Sequence, residues 1–188
     1  LEPVSPIAAA PFPLERVRLL DGLLKQKQEL HGHRLLDWDP ERLLHMFRVT
    51  AGLPSAAQPL GGWERPDCEI RGHSTGHYLS GLALMYASTG DTRFRDRAAY
   101  IVGELTRCQA AMPSQGYGAG YLLAFPESFF DRVDRCQPVW VPWYTCHKIM
   151  AGLLETHIHC DNQAALDVLA AMAEWADRRT GRITWEHM

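Results

Sequence analysis

The feature that most constrains this chain is an internal repeat. Displaced by 71 residues, the sequence falls on itself: Gly81-Leu82 on Gly152-Leu153, Ser80 on Ala151, and the turn Thr89-Gly90-Asp91 on Cys160-Asp161-Asn162. Ala98 and Ile101 fall on Leu169 and Met172. Each copy reads as a helix, a short turn and a second helix, near 74–88 and 92–109, then near 144–159 and 163–178. The first helix of each copy is apolar nearly all round (Leu79, Leu82, Leu84 and Met85; Ile149, Met150, Leu153 and Leu154), which marks a buried helix. The second carries charge on one side (Arg93, Asp96, Arg97 and Glu104; Asp167, Glu174 and Asp177). Repeated inner-then-outer helices predict an all-α fold laid out as a partial (α/α)6 toroid of about six helices. A plain helical solenoid would give the same local pattern.

The remaining segments fit around these hairpins. Residues 1–13 hold four prolines and read as an irregular arm. Val17–Leu20 reads as a short extended piece ending at Asp21-Gly22. A helix is expected from Leu23 to Leu36. Asp39-Pro40 signals a second start, an N-cap followed by Pro at the first helical position, with Leu43, Leu44 and Phe47 on the buried side. Residues 51–66 read as a loop. Between the two copies, residues 110–142 form a long connection rich in Gly and aromatics. Loops beyond about 12–15 residues in compact domains are usually functional or disordered, and this one is too aromatic for disorder. It is expected to form a wall of a sugar site.

Composition narrows the function classes. A net charge of -3 with 46% hydrophobic residues is ordinary globular composition. It lacks the basic excess of a nucleic-acid-binding surface, and no apolar run approaches the roughly 18 residues of a membrane span. Five cysteines without a CxxC pair signal neither a disulfide framework nor a zinc ribbon, so free buried thiols are expected. The chain begins at Leu1. A removed leader and a trimmed chain both account for that, so a secreted or periplasmic location is expected, with a cytoplasmic one as the alternative.

The candidate chemistry lies where the two inner helices begin. Arg71 to Tyr78 opens the first and Pro142 to Lys148 the second. Under the repeat His147 falls on Gly76, next to His77. Equivalent ends of two inner helices lie at the same end of the fold, so His77, His147, Trp143 and Tyr144 are expected around one opening, with free N–H groups beside them. Sugars bind in such places, where a few directional polar groups interrupt an apolar, aromatic lining. His73 reads more simply as a cap or a satisfied core residue, and Trp143 and Tyr144 as readily as core aromatics. His73 and His77 share a helix face at i and i+4, but HSTGH lacks the Glu of HExxH and no third ligand is fixed, so no metal site is expected here. Of the carboxylates that glycoside hydrolysis would use, Glu64 after Gly61-Gly62-Trp63 is the best placed. Glu127, Asp131 and Asp134 read as the solvated face of a short helix.

Several segments, in order, resemble one family pattern: Val17-Arg18-Leu19-Leu20-Asp21-Gly22, Leu43 to Val49, Gly61-Gly62-Trp63-Glu64, Arg71-Gly72-His73 through Gly76-His77-Tyr78, Gly120-Tyr121-Leu122 with Ala124-Phe125-Pro126, and Trp140-Val141-Pro142-Trp143-Tyr144 through His147-Lys148-Ile149. They are similar to the β-L-arabinofuranosidases, glycoside hydrolase families 127 and 146. The resemblance implies that residues 14–188 are the N-terminal half of an (α/α)6 catalytic domain. It implies a retaining glycosidase acting on L-arabinofuranosides or related plant glycans. Its nucleophile would be a zinc-bound cysteine thiolate and its acid and base a glutamate, both downstream of this chain, with zinc belonging to the complete enzyme. None of the five cysteines here matches those positions, so no catalytic residue is carried over and the chain alone is expected to be inactive. The substrate-contacting position carried over best is His147, followed by His77, His73, Phe47, Trp63 and Glu64. The alternatives are a non-catalytic helical sugar-binding or scaffold module, or another α/α-toroid enzyme such as a lyase or epimerase.

Overall fold

The computed structural model describes residues 11–182, so most of the arm expected at 1–13 and the last six residues lie outside the described part. Within it the fold is all-α. Seven α-helices are present: α1 (Leu23–Asp37), α2 (Pro40–Thr50), α3 (His73–Thr89), α4 (Thr92–Ala111), α5 (Ser128–Asp134), α6 (Pro142–Cys160) and α7 (Gln163–Thr180). There is no strand among the described residues, and Val17–Leu20 is irregular. Two helical hairpins, α3–α4 and α6–α7, form the body.

The hairpins pack in two layers. α3 lies along α6, and α4 along α7. Tyr144 in the first turn of α6 meets His73 and His77 at the start of α3. Tyr86 and Ala87 near the other end of α3 line a cavity with Ile158 and His159 of α6, so the two inner helices run parallel. They approach until backbone meets backbone. A Cβ added at Gly76 would lie 2.1 Å from the Lys148 carbonyl oxygen, and one at Gly152 would lie 2.4 Å from the Gly76 oxygen. Only glycine permits that approach. Leu79, Leu82, Ile149 and Leu153 fill the seam and are wholly buried, each worth about 1.5–3 kcal/mol relative to exposure.

Capping differs between the layers. The helices α2, α4 and α7 carry their own N-caps: Asp39 accepts from the Glu41 amide at 2.9 Å, Asp91 from Arg93 at 3.0 Å and Asn162 from Ala165 at 3.0 Å, each worth about 1 kcal/mol. The inner helices do not. α3 follows Gly72 at φ 94° and α6 follows Val141 at φ 42°, neither with a side-chain cap of its own.

The long connection departs from expectation. Tyr121, Leu122, Leu123, Ala124 and Phe125 are wholly buried, so its middle is core and not the wall of a sugar site. The buried Arg71 guanidinium holds it, donating from Nε to the Ala124 carbonyl at 2.7 Å and from Nη1 to Cys68 O at 3.0 Å, beneath the Phe125 and Phe129 rings. Aromatic residues here serve burial, which stabilises in proportion to their large apolar area. The acidic residues around α5 are tied in as well. Glu127 accepts from the Gly118 amide at 2.7 Å and from Trp175 Nε1 at 2.8 Å, while Asp131 and Asp134 pair with the buried Arg179 at 2.7 and 2.5 Å. They are an internal clamp onto α7, not a solvated face.

Candidate functional site

Where α3 and α6 begin, the structure brings together Trp63, Glu64, His73, His77 and Tyr144. Trp63 and Glu64 arrive on the short 3-10 turn Gly62–Glu64. The Glu64 carboxylate reaches the start of α3. Its Oε2 accepts from the Gly72 amide at 2.5 Å, and its Oε1 accepts from the Ser74 amide at 2.9 Å and lies 2.9 Å from His73 Nδ1. Glu64 is therefore the cap that α3 lacks locally, a negative charge on a helix N-terminus. Burial pushes its carboxyl up, but the bonds from His73, Gly72 and Ser74 outweigh burial and leave it below the usual carboxylate range.

His73 is buried with Nδ1 shared between Glu64 and the Ile70 carbonyl, 2.9 Å away. The hydrogen bond to Glu64 holds its pKa above the usual histidine value against the opposing effect of burial. His77, one turn on, behaves oppositely. Partial burial, then the nearby Lys148 and His73 charges, hold it below the usual value. Its Nε2 stands 3.4 Å from the Tyr144 hydroxyl, a long hydrogen-bond distance. The result is two edge-to-face imidazoles 6.0 Å apart, the inner one favouring the cation and the outer one neutral.

Aromatic rings complete the site. Trp63 lies 6.0 Å from the His73 ring and meets Trp140 edge-on at 6.4 Å; both indoles are exposed. Lys148 was not among the residues expected here, and Trp140 was expected only as part of the long connection. Trp140 is fixed through its amide, which donates to Glu69 Oε2 at 2.8 Å, while Arg132 donates to Glu69 Oε1 at 2.5 Å. Lys148 caps the Tyr144 ring with its ammonium 4.9 Å from the centroid. Its position four residues after Tyr144, on the same helix face, is the signal that could have found it.

Phe47 and Trp143 stand in the core, which the sequence also allowed for them. Phe47 is wholly buried and lies under Gly72, where an added Cβ would come within 3.1 Å of its ring; it offers no surface to a ligand. Trp143 stacks into the core on Phe130 at 4.7 Å and Trp175 at 5.8 Å. His147 lies one turn beyond Tyr144 on α6, exposed, with no hydrogen bond to the cluster among the described residues.

The zinc–thiolate arrangement that the resemblance implies is not assigned to any of these residues. Among the described residues no three His, Cys, Asp or Glu side chains converge as a metal site. All five thiols are free, and burial pushes Cys108 and Cys146 up to about 12 and Cys160 to about 11. Thiols buried in apolar surroundings in this way are not activated as nucleophiles. A cavity of roughly 450 Å³ lies away from the cluster between α1 and the far half of α3. Its main charges are already engaged, Lys25 with Asp21 and Arg93 with Asp91. What the α3/α6 end can do is bind a polar, ring-shaped ligand, through exposed indoles, the His77 imidazole and the Tyr144 hydroxyl. No helix of the described residues is long and apolar enough to cross a membrane.

Comparison with known proteins agrees with this chemistry. A search of curated proteins gave no match. The family model of the β-L-arabinofuranosidase GH127 catalytic domain matches residues 16–188, nearly the whole chain. The match covers most of the chain, which therefore belongs to the GH127 β-L-arabinofuranosidase family of glycoside hydrolases.

Proposed function

We propose that this chain supplies a sugar-binding wall in a retaining glycosidase acting on L-arabinofuranosides or related plant glycans, its hairpins forming an arc of an (α/α)6 toroid. The observation that carries this reading is the convergence of Trp63, His73, His77 and Tyr144 on one end of two parallel inner helices. In this reading the exposed indoles stack on sugar faces, and the neutral His77 and the Tyr144 hydroxyl exchange hydrogen bonds with sugar hydroxyls. His73 is held by Glu64 as a positioned cation beneath them. His147 extends the polar row along α6 toward the bound sugar. In this reading none of the described residues cleaves the bond, and the 188-residue chain is expected to turn over no arabinofuranoside by itself. Zinc and an extracytoplasmic location remain part of the proposal for the working enzyme.

The test is substitution of His147. In the active enzyme that carries this sequence, His147→Ala lowers kcat/KM on an aryl L-arabinofuranoside at least about tenfold, equivalent to about 1.4 kcal/mol of transition-state binding, with an unchanged melting temperature. Unchanged kinetics remove His147 from the site. An enzyme that releases unsaturated or epimerised sugars identifies a different α/α-toroid chemistry.

A further inference from the structure

A second cavity opens off the cluster. It lies between α1 and α3, has a volume of roughly 340 Å³, and is lined by His31, Arg34, Leu35, Trp38, Ser74, His77, Tyr78 and Gly81. This is within the range of small-molecule sites, about 300–1,000 Å³. His77 belongs both to this groove and to the cluster at the start of α3, so the two spaces meet at one imidazole.

The groove is built, not incidental. Trp38 stands between α1 and α2 and is 48% exposed, its indole stacked on the buried Tyr78 ring at 5.7 Å and 15°. Three contacts fix that stack. The Tyr78 hydroxyl donates to the Leu35 carbonyl, Arg97 Nη1 donates to the Trp38 carbonyl at 2.7 Å, and the Arg97 guanidinium reaches the Tyr78 hydroxyl at 3.4 Å. Gly81 adds no side chain to the floor beside Leu35. An anchored indole over an apolar floor suits a sugar face. Hydrogen-bonding groups at its margins (His31, Arg34, Ser74 and His77) suit the hydroxyls.

Building on the sugar-binding reading above, we propose that the Trp38 groove is a second sugar subsite, holding the next unit of an arabinofuranosyl oligosaccharide whose first unit sits at His77. The occupant follows from continuity: a ligand spanning both spaces must pass His77, and both lining sets combine aromatic faces with hydrogen-bonding groups. Trp38 is thereby a length-specificity residue and takes no part in bond cleavage.

The experiment compares methyl L-arabinofuranoside with an L-arabinofuranosyl disaccharide, each titrated into the wild-type chain and into Trp38→Ala and Trp38→Phe by ligand-detected NMR. The expected result is that Trp38→Ala weakens the disaccharide at least about tenfold, leaves the monosaccharide within twofold, and that Trp38→Phe recovers most of the loss. Arg34→Ala, on the opposite margin, repeats the selective loss without touching the Trp38–Tyr78 stack. Equal affinity changes for both ligands, or none for either variant, overturn the subsite while leaving the primary sugar site standing. Absence of any saccharide binding to the wild type overturns both.

Discussion

Glu64→Gln tests the arrangement at its centre. The wild-type carboxylate accepts three N–H groups, from Gly72, Ser74 and His73, and its side chain is only 11% exposed. Glutamine keeps one carbonyl acceptor and turns an N–H₂ toward donors, so the start of α3 loses its charged cap and the imidazolium its partner. Breaking a buried pair from one side costs about 3–5 kcal/mol. For a domain of this size each kcal/mol moves Tm by roughly 2–4 °C, so a fall of roughly 6–20 °C is expected. The pH dependence has a definite sign. The His73 pKa is raised above its ordinary 6.5, so its contribution is complete below pH 6.5 and is lost as pH rises through the raised value. The Glu64 pKa is lowered below its ordinary 4.5, so its contribution is present above pH 4.5 and is lost as pH falls through the lowered value. The gap between wild type and variant is therefore widest between those limits. It narrows above the His73 pKa, where the two backbone bonds still hold the carboxylate. Thermal melts at pH 5.5 and 9, with NMR titration of His73, measure both parts. A variant whose His73 titrates as in the wild type, or whose melting deficit is the same at both pH values, refutes the coupling.

Two further substitutions probe what holds the site. Gly76→Ala places a methyl group within 2.1 Å of the Lys148 carbonyl. Because backbone cannot step aside as a side-chain tip can, we expect at least about 3 kcal/mol of overpacking, read as a fall in the urea midpoint together with loss of saccharide binding. A Gly76→Ala chain as stable as the wild type would mean that α3 and α6 do not pack at this distance. Val141→Gly relieves a left-handed conformation at an exposed β-branched residue and is expected to stabilise the chain by about 1 kcal/mol in denaturant unfolding; a loss of stability would show the strain to be absent.

The fold was legible wherever one physical rule acted alone. Two all-round apolar stretches, each followed by a turn and a one-sided helix, specified both hairpins, and Asp39-Pro40 marked the start of α2, because periodicity and capping are local. What failed was non-local. An aromatic run has the same composition whether it lines a pocket or fills a core, and the buried Arg71 that drags residues 121–125 inward stands some fifty positions away. For Phe47 and Trp143 the sequence left burial and ligand contact both open, because what decides between them is distant: Gly72 for one, Phe130 and Trp175 for the other. Glu127 looked solvated until Trp175 arrived to bond it. In the cluster, the i and i+4 spacing placed His73 and His77 on one face, but the capping role of Glu64 crosses a loop and follows no local motif.

The unconventional starts of α3 and α6 connect packing with function. Each outer helix resolves its free amides with its own Asp or Asn. Each inner helix instead follows a residue at positive φ. Gly72 adopts it freely, whereas at Val141 it costs about 1–3 kcal/mol, a strain that persists only where the surroundings over-determine it. At Gly72 the surroundings are Phe47 and Ala124 below and the Glu64 carboxylate above; ahead of Val141, Glu69 holds the Trp140 amide. These same contacts carry Trp63 and Trp140 to within 6.4 Å of each other and set Trp63 beside His73. A local cap would satisfy the helix equally well without importing a distant loop. Replacing that cap with Glu64 ties the stability of the inner layer to the placement of the cluster, so the packing of α3 and the site are aspects of one arrangement.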